Sequence, residues 1–299
     1  MVPGESREVL SVAAGSPARR CGIVGHPVAH SLSPVLYEAV FAASSLPWTY
    51  DRIDLPYGGL AGFVAGLDAS WRGLSVTAPH KPEAIGLGEP DEAARLTGVA
   101  NTLVFEATGR IASFNTDVPG VRRACESRGV AASSAVVIGA GATARSVVAG
   151  LARSGLRRLT VQLRDPVKAT PLRGMARALG LEVSVTPIGP HGPCDLVVST
   201  LPAGAADPWA ETLVAGAPAV FDVAYTPWPT RLMQAGLDAG ATVVDGLDLL
   251  AGQAVDQAAL ICGATLPGPT MRALLAGAVA DEAPGVVPSG NRSAELSAC

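Results

Sequence analysis

Residues 135–163 open on Ala135-Val-Val-Ile138 and turn through Gly139-Ala140-Gly141-Ala142-Thr143-Ala144. They continue as RSVVAGLAR (145–153) and, after a short break, as Leu159-Thr-Val-Gln-Leu163. The short apolar runs at 135–138 and 159–163 predict buried strands, and the spacing of apolar residues over 145–153 predicts a helix. Strand, G-x-G-x-x-A turn, helix and second strand form a βαβ unit of the kind that holds a dinucleotide. Gly139 permits the tight turn, Gly141 lets a pyrophosphate approach the backbone, and Ala144 lets the helix pack close to the sheet. The unpaired N–H groups at the start of that helix favour an anion. The six residues from Gly139 to Ala144 are therefore candidate cofactor contacts. Such a turn alone is a weak signal, and the second strand at the right distance strengthens it.

The end of the second strand reads the adenine ribose, and here it runs Leu163-Arg164-Asp165-Pro-Val-Lys168. An acidic residue would accept from the free 2′-hydroxyl of NAD, whereas Arg and Lys would pair with the 2′-phosphate of NADP. Arg164, Asp165 and Lys168 are candidates for both readings. Downstream, predicted strands at Asp195–Ser199, Ala219–Val223 and Thr242–Val244 continue the pattern, followed by helices over about Leu247–Cys262 and Thr270–Ala280. Upstream, strands are expected at Arg20–Val24, Trp48–Ile53, Gly73–Val76, Thr102–Phe105 and Ile111–Phe114. Ser33 suits a helix cap, with Pro34 in the first turn and Val35, Leu36, Ala39 and Val40 on one face. An amphipathic segment covers 119–134. This alternation predicts an α/β protein with parallel sheets.

The chain has 299 residues, 48% hydrophobic and only 4% aromatic, so its cores must be built from small side chains. Its length suits about two domains. Gly (34) and Pro (24) together make about a fifth of the chain, below the roughly 25–30% of low-complexity disorder. A net charge of −4 without any basic block speaks against a nucleic-acid partner. The weakly charged stretches are broken by Gly and Pro and are too short to span a membrane. Residues 1–18 lack the apolar centre of a signal peptide, which points to a cytoplasmic protein. Five scattered cysteines and four histidines show no metal-ligand spacing, so no metal is expected. Residues 1–18 and 282–299 read as flexible tails.

Polar residues gather where strands end: Ser31 and Ser33 in HSLSP, Thr77 and Lys81 in SVTAPHK, Asn101 in GVANTL, Thr116 and Asp117 in FNTD. These segments, with GAGATAR (139–145), DVAYTPWPT (222–230), and GLDLLAGQA (246–254) followed by Gln257, resemble the shikimate dehydrogenase family over nearly all of residues 20–280. The family interconverts 3-dehydroshikimate and shikimate with a nicotinamide cofactor. The resemblance implies an N-terminal α/β substrate domain, residues 19–118, completed by C-terminal helices at 248–281, with a Rossmann-type domain inserted at 119–247. It implies that Ser31 and Ser33 hold the substrate carboxylate, and that Thr77, Asn101, Thr116, Tyr225 and Gln253 contact the ring hydroxyls and carboxylate. Thr200, Val223 and Gly246 would face the cofactor, expected to be NADP with NAD as the alternative.

Lys81 and Asp117 match the family's catalytic pair. Independently of the resemblance, reducing a ketone needs a proton at the forming alkoxide, and a positioned Lys can give it while its charge stabilises the oxyanion. His80 is expected to be a loop residue without a catalytic role. The alternatives are a relative acting on quinate or aminoshikimate and, from another class, a non-catalytic nucleotide-sensing module. Retention of both Lys81 and Asp117 favours the enzyme. A monomer or homodimer acting on a small molecule is expected.

Overall fold

The computed structural model describes residues 18–282, so the segments expected to be tails lie almost wholly outside the described residues. Two six-stranded sheets organise the chain. The first begins with β1 (Arg20–Gly25), α1 (Ser33–Ala43), β2 (Thr49–Asp54), α2 (Leu60–Ala65) and β3 (Trp71–Val76), in which β1 lies parallel between β2 and β3. Short α3 (Lys81–Ala84), β4 (Glu89–Pro90) and α4 (Glu92–Thr97) lead to β5 (Thr102–Phe105) and β6 (Ile111–Phe114). The strand order is β2-β1-β3-β5-β6-β4.

This sheet is mixed rather than parallel as expected: β5 runs antiparallel to both β3 and β6. Only Glu106–Arg110 joins β5 to β6, with Gly109 at φ +82° in the turn. A parallel crossover needs about a dozen residues or more, so a link this short can only make a hairpin.

The second sheet is parallel throughout. After α5 (Asp117–Ser127) come β7 (Ser134–Ile138), α6 (Ala142–Arg153), β8 (Arg158–Gln162), α7 (Thr170–Ala178), β9 (Glu182–Thr186) and β10 (Leu196–Ser199). Then follow α8 (Ala210–Val214), β11 (Ala219–Asp222), α9 (Arg231–Asp238) and β12 (Thr242–Val244). The order β12-β11-β10-β7-β8-β9 is the doubly wound arrangement, whose direction reverses between β7 and β10. Edge strand β9 is one the apolar runs did not announce. Its Glu-Val-Ser-Val-Thr alternates because it is only half buried, unlike the central β7 and β10.

The chain then returns to the first sheet through α10 (Gly246–Cys262) and α11 (Gly268–Glu282). Ala251, Ala254, Ala258 and Ile261 of α10, with Met271 and Leu275 of α11, share one buried cluster with Ile23, Leu36, Tyr37 and Val40. Burying side chains such as Met271 and Leu275 contributes roughly 1.5–3 kcal/mol each. A capping box closes the start of α10: Asp245 accepts from the Asp248 N–H (2.8 Å) and Asp248 from the Asp245 N–H (3.2 Å). Among the described residues no helix is long and apolar enough to cross a membrane.

Helix α5 joins the two halves by close approach on two sides. A Cβ on Gly120 would lie 2.8 Å from the Gln253 backbone nitrogen, and one on Gly252 would lie 2.7 Å from the Gly120 carbonyl oxygen. On its other side, a Cβ on Gly150 of α6 would lie 2.7 Å from the Val118 carbonyl oxygen. Backbone atoms cannot yield as side-chain ends can, so these glycines set the distance between helices. Gly120→Ala should force α10 away from α5, at a cost of about 1–3 kcal/mol in unfolding free energy and a clear loss of activity. Chemical denaturation alongside steady-state rates checks this; a variant as stable and active as the parent would show that the crossing yields easily.

Candidate active site

Near the carboxyl ends of β1 and β3 a cleft of about 170 Å³ is lined by Ser31, Ser33, Thr77, Lys81, Asn101 and Asp117. Tyr225 and Gln253 line it too, as do Thr143, Val223 and Gly246 from the cofactor side. Residues separated by more than 200 positions in the sequence thus share one small polar space. A larger open groove of about 480 Å³ lies along β7, β8 and β9, lined by strand residues such as Thr160 and Ser184 and by none of the candidate catalytic groups.

Lys81 begins α3 and Asp117 begins α5, and Lys81 Nζ donates to Asp117 Oδ2 at 2.6 Å. Both side chains are largely shielded, at 12% and 8% exposure, which separates this pair from a solvated surface salt bridge. The carboxylate is further held by Asn101 Nδ2 at 2.9 Å and by its place in the first turn of an 11-residue helix.

Asn101 is the centre of this polar set. Its Nδ2 also lies 3.0 Å from Thr116 Oγ1 and 3.3 Å from Gln253 Oε1, while its Oδ1 accepts from the Thr116 N–H at 2.9 Å. Thr116 is the one expected substrate contact that does not line the cleft. It is 3% exposed and its hydroxyl sits among Asn101 and Gln253, one layer behind the surface the substrate would meet.

One further expectation changes. Ser33 does not cap α1: Leu32 occupies the cap position at φ −88°, ψ 0°, so the helix has already begun at Ser33. Ser31 instead accepts from the Ser33 N–H at 3.3 Å, which orders the turn carrying both hydroxyls. His80, expected as a loop residue without a catalytic role, does lie in the turn before α3. It is fully buried, with Nδ1 2.6 Å from Glu83 and Nε2 2.7 Å from the Leu55 carbonyl oxygen, and it fixes the turn that delivers Lys81.

Ser75 and Gln257, which also line the cleft, belong to a network of which the sequence motifs named only Gln257. Gln257 Oε1 accepts from Ser75 Oγ at 2.7 Å and from the Tyr37 hydroxyl at 3.0 Å. Its Nε2 donates to Thr102 Oγ1 at 2.7 Å and to the Asn101 carbonyl oxygen at 3.2 Å. The Tyr50 hydroxyl donates to Ser75 Oγ. Gln257 stands one turn after Gln253, so the two amides share one helix face.

The cofactor turn is built as its glycines suggest. Gly139 has φ +109°, and a Cβ there would overlap Thr200 Oγ1, whose hydroxyl donates to the Ile138 carbonyl oxygen at 2.9 Å. Nothing lies within 4 Å of a Cβ on Gly141, and no side chain caps α6. Ala140 and Ala142 flank this open turn, while Ala144 is fully buried against the sheet. Exposed N–H groups therefore head a 12-residue helix at the point where the strand order reverses. After β8, Arg164 and Lys168 are exposed and have no acidic partner among the described residues. Asp165, in contrast, accepts from the Val167 N–H at 3.1 Å and so serves the local turn. This arrangement suits the 2′-phosphate of NADP.

A Rossmann-type unit facing a shielded Lys–Asp pair defines a nicotinamide-dependent oxidoreductase. Residues 23–103 match the model of the shikimate dehydrogenase substrate binding domain. The chain is 37% identical to a shikimate dehydrogenase (NADP(+)) of Methylobacterium radiotolerans, over 79% of this chain and 88% of the relative. Among solved structures it resembles a shikimate 5-dehydrogenase from Mycobacterium fortuitum, with 40% identity, a TM-score of 0.77, and 87% and 98% of the two chains covered. It also resembles the Thermus thermophilus shikimate 5-dehydrogenase in complex with NADP(H) and shikimate, with 30% identity, a TM-score of 0.77, and 87% and 99% covered. The chain belongs to the shikimate dehydrogenase family.

Next to the lining residue Val223 lies a buried carboxylate. Asp222 ends β11 just before Val223, is 4% exposed, and accepts from Thr230 Oγ1 (2.7 Å) and the Ala224 N–H (3.2 Å). Burial pushes its carboxyl above the usual carboxylate range. A raised folded pKa means that the folded state binds the proton more tightly. Stability therefore falls as pH rises from the unfolded value, about 3.9, through the folded one, and stays lower above it. Asp222→Asn should raise Tm at pH 7 and lose that advantage at pH values below about 3.9. Equal gains at both pH values would contradict a buried carboxylate.

Proposed function

We propose that the protein catalyses the reversible NADPH-dependent reduction of 3-dehydroshikimate to shikimate, with Lys81 as general acid/base and Asp117 as its orienting partner. The observation that carries this reading is the shielded 2.6 Å Lys81–Asp117 contact in a cleft shared with Thr143, Val223 and Gly246. Bound at the Gly139–Ala144 turn, NADPH would supply a hydride to the carbonyl carbon and leave as NADP+. As that carbon–hydrogen bond forms, the carbonyl oxygen becomes an alkoxide. Lys81 Nζ stabilises the developing charge and gives up its proton to complete the hydroxyl, leaving a neutral amine that solvent reprotonates. In the oxidative direction the neutral Lys81 amine takes the hydroxyl proton as hydride leaves.

Asp117 keeps the Lys81 ammonium aimed, and Asn101 keeps Asp117 aimed. Ser31 and Ser33 hold the substrate carboxylate with neutral hydroxyls on a turn that Arg52 braces, its Nη2 donating to the Ser31 carbonyl oxygen at 3.1 Å. Tyr225 flanks them; burial raises its phenol above the ordinary value, so it stays protonated and can donate. Thr77, Asn101 and Gln253 supply the remaining contacts to ring oxygens. Residues 19–118 with 248–281 form the substrate domain and 119–247 the cofactor domain. Cytoplasmic location, as monomer or homodimer, completes the reading.

Initial rates followed at 340 nm with shikimate, quinate and aminoshikimate against NADP+ and NAD+ test it directly. Shikimate with NADP+ should be the fastest pair, and absence of turnover with all three substrates would favour a nucleotide sensor. Lys81→Ala should lower kcat by roughly 10²–10⁴-fold while KM for shikimate changes little; near-normal kcat would remove Lys81 from its role. Arg164→Ala should raise KM for NADP+ about tenfold and leave KM for NAD+ unchanged, as loss of a charge-assisted contact to the 2′-phosphate requires.

A further inference from the structure

We propose that Asn115 is a positioning residue that fixes the dinucleotide helix α6, through Ser146, relative to the catalytic Asp117. Asn115 follows β6 and is 2% exposed. Its Nδ2 donates to Ser146 Oγ on α6 at 3.0 Å and to Thr97 Oγ1 at the end of α4 at 2.8 Å. Its Oδ1 accepts from the Asp117 N–H at 3.2 Å. One side-chain amide therefore touches three elements: the helix that heads the cofactor turn, the helix before Asn101, and the first residue of α5.

Neighbouring contacts support the same alignment. The Asn115 N–H donates to Asp91 Oδ1 at 3.3 Å, and the same carboxylate caps α4 through the Ala94 N–H at 2.7 Å. Arg145, beside Ser146 on α6, donates to the Thr97 carbonyl oxygen at 2.8 Å, at the end of α4 where the helix dipole favours a cation. Ser146 is fully buried, so water cannot replace its bond to Asn115. The bond spans the boundary between the group that aims the proton donor and the helix that seats the hydride donor.

That placement has a chemical consequence. Proton and hydride must reach the two ends of one carbonyl bond, and a misplacement of about 1 Å by a remote change can cost on the order of 10²-fold. The substrate contacts lie beside the first sheet, on α10 and, for Tyr225, after β11, and the phosphate contacts lie on the Gly139–Ala144 turn and after β8; none of them is hydrogen-bonded to Asn115. Loss of the Asn115–Ser146 bond should therefore slow the chemical step without weakening either ligand. A solely structural Asn115 would lower Tm and leave the rate per folded molecule unchanged.

The inference rests on the dehydrogenase reading, and the test separates the two. Ser146→Ala removes only a hydroxyl at a helix-compatible position; Asn115→Ala and the double variant complete a cycle. The single-turnover rate of NADPH oxidation with 3-dehydroshikimate should fall about fivefold in Ser146→Ala and about tenfold or more in Asn115→Ala. The double variant should be no slower than Asn115→Ala, because both changes break one bond. KM for shikimate and Kd for NADPH, from fluorescence titration, should stay within about twofold. A Ser146→Ala rate within twofold of the parent overturns the assignment. So do losses that multiply in the double variant, or a rise in KM with the rate unchanged. If Asn115→Ala does not fold, Ser146→Ala decides alone by the same rate and KM criteria. An unmodified enzyme without turnover would overturn the dehydrogenase reading itself.

Discussion

Backbone contact on two sides of α5 is the constraint on which the site depends. Gly120 and Gly252 bring α5 and α10 so close that a single methyl group on either would strike main-chain atoms, and Gly150 does the same for α6. Asp117 stands at the first turn of α5, Gln253 next to Gly252 on α10, and Thr143 at the start of α6. Setting these two helix crossings therefore sets the distances among a catalytic carboxylate, a substrate contact and the cofactor turn. Wider crossings, as larger side chains would impose, would open a cleft that is only about 170 Å³ in volume.

Polar groups brought into so tight a space must satisfy one another, since an unmet donor or acceptor there costs about 1–3 kcal/mol. Asn101 binds Asp117, Thr116 and Gln253, while Gln257 binds Ser75, Tyr37 and Thr102. Such a network gives the cleft wall one arrangement instead of several. Substrate hydroxyls then meet groups already oriented, which reduces the reorganisation the reaction requires. Thr116 belongs to this second layer. The family resemblance implied a substrate contact for it, and its hydroxyl bonds Asn101 and Gln253.

Local chemistry was legible wherever one segment sufficed. The strand and turn at 135–144, the start of α10, and the strand ends carrying Ser31, Thr77 and Asn101 follow from apolar runs, glycine and turn residues. Features that depend on a distant partner were harder to read. Burial of His80 needs Leu55 and Glu83, the mixed first sheet needs the pairing of β5 with β3, and the alternating β9 is visible only as the edge of a sheet. Ser33 looked like a cap because Ser before Pro commonly caps a helix, yet Leu32 had already turned the chain.

By itself, the sequence determined the α/β class, the Gly139–Ala144 turn, the residue types of the site and, through several ordered motifs, the family. These are matters of local periodicity, backbone freedom and side-chain chemistry, which a short segment carries with it. Tertiary structure decided which candidates meet: Lys81 with Asp117 across 36 positions, Asn101 with Gln253 across 152, and Asn115 with Ser146 across 31. It also left Arg164 and Lys168 exposed and without an acidic partner among the described residues, open to a phosphate. Hydrogen bonds act over about 3 Å, and which groups come that close depends on how helices and sheets pack.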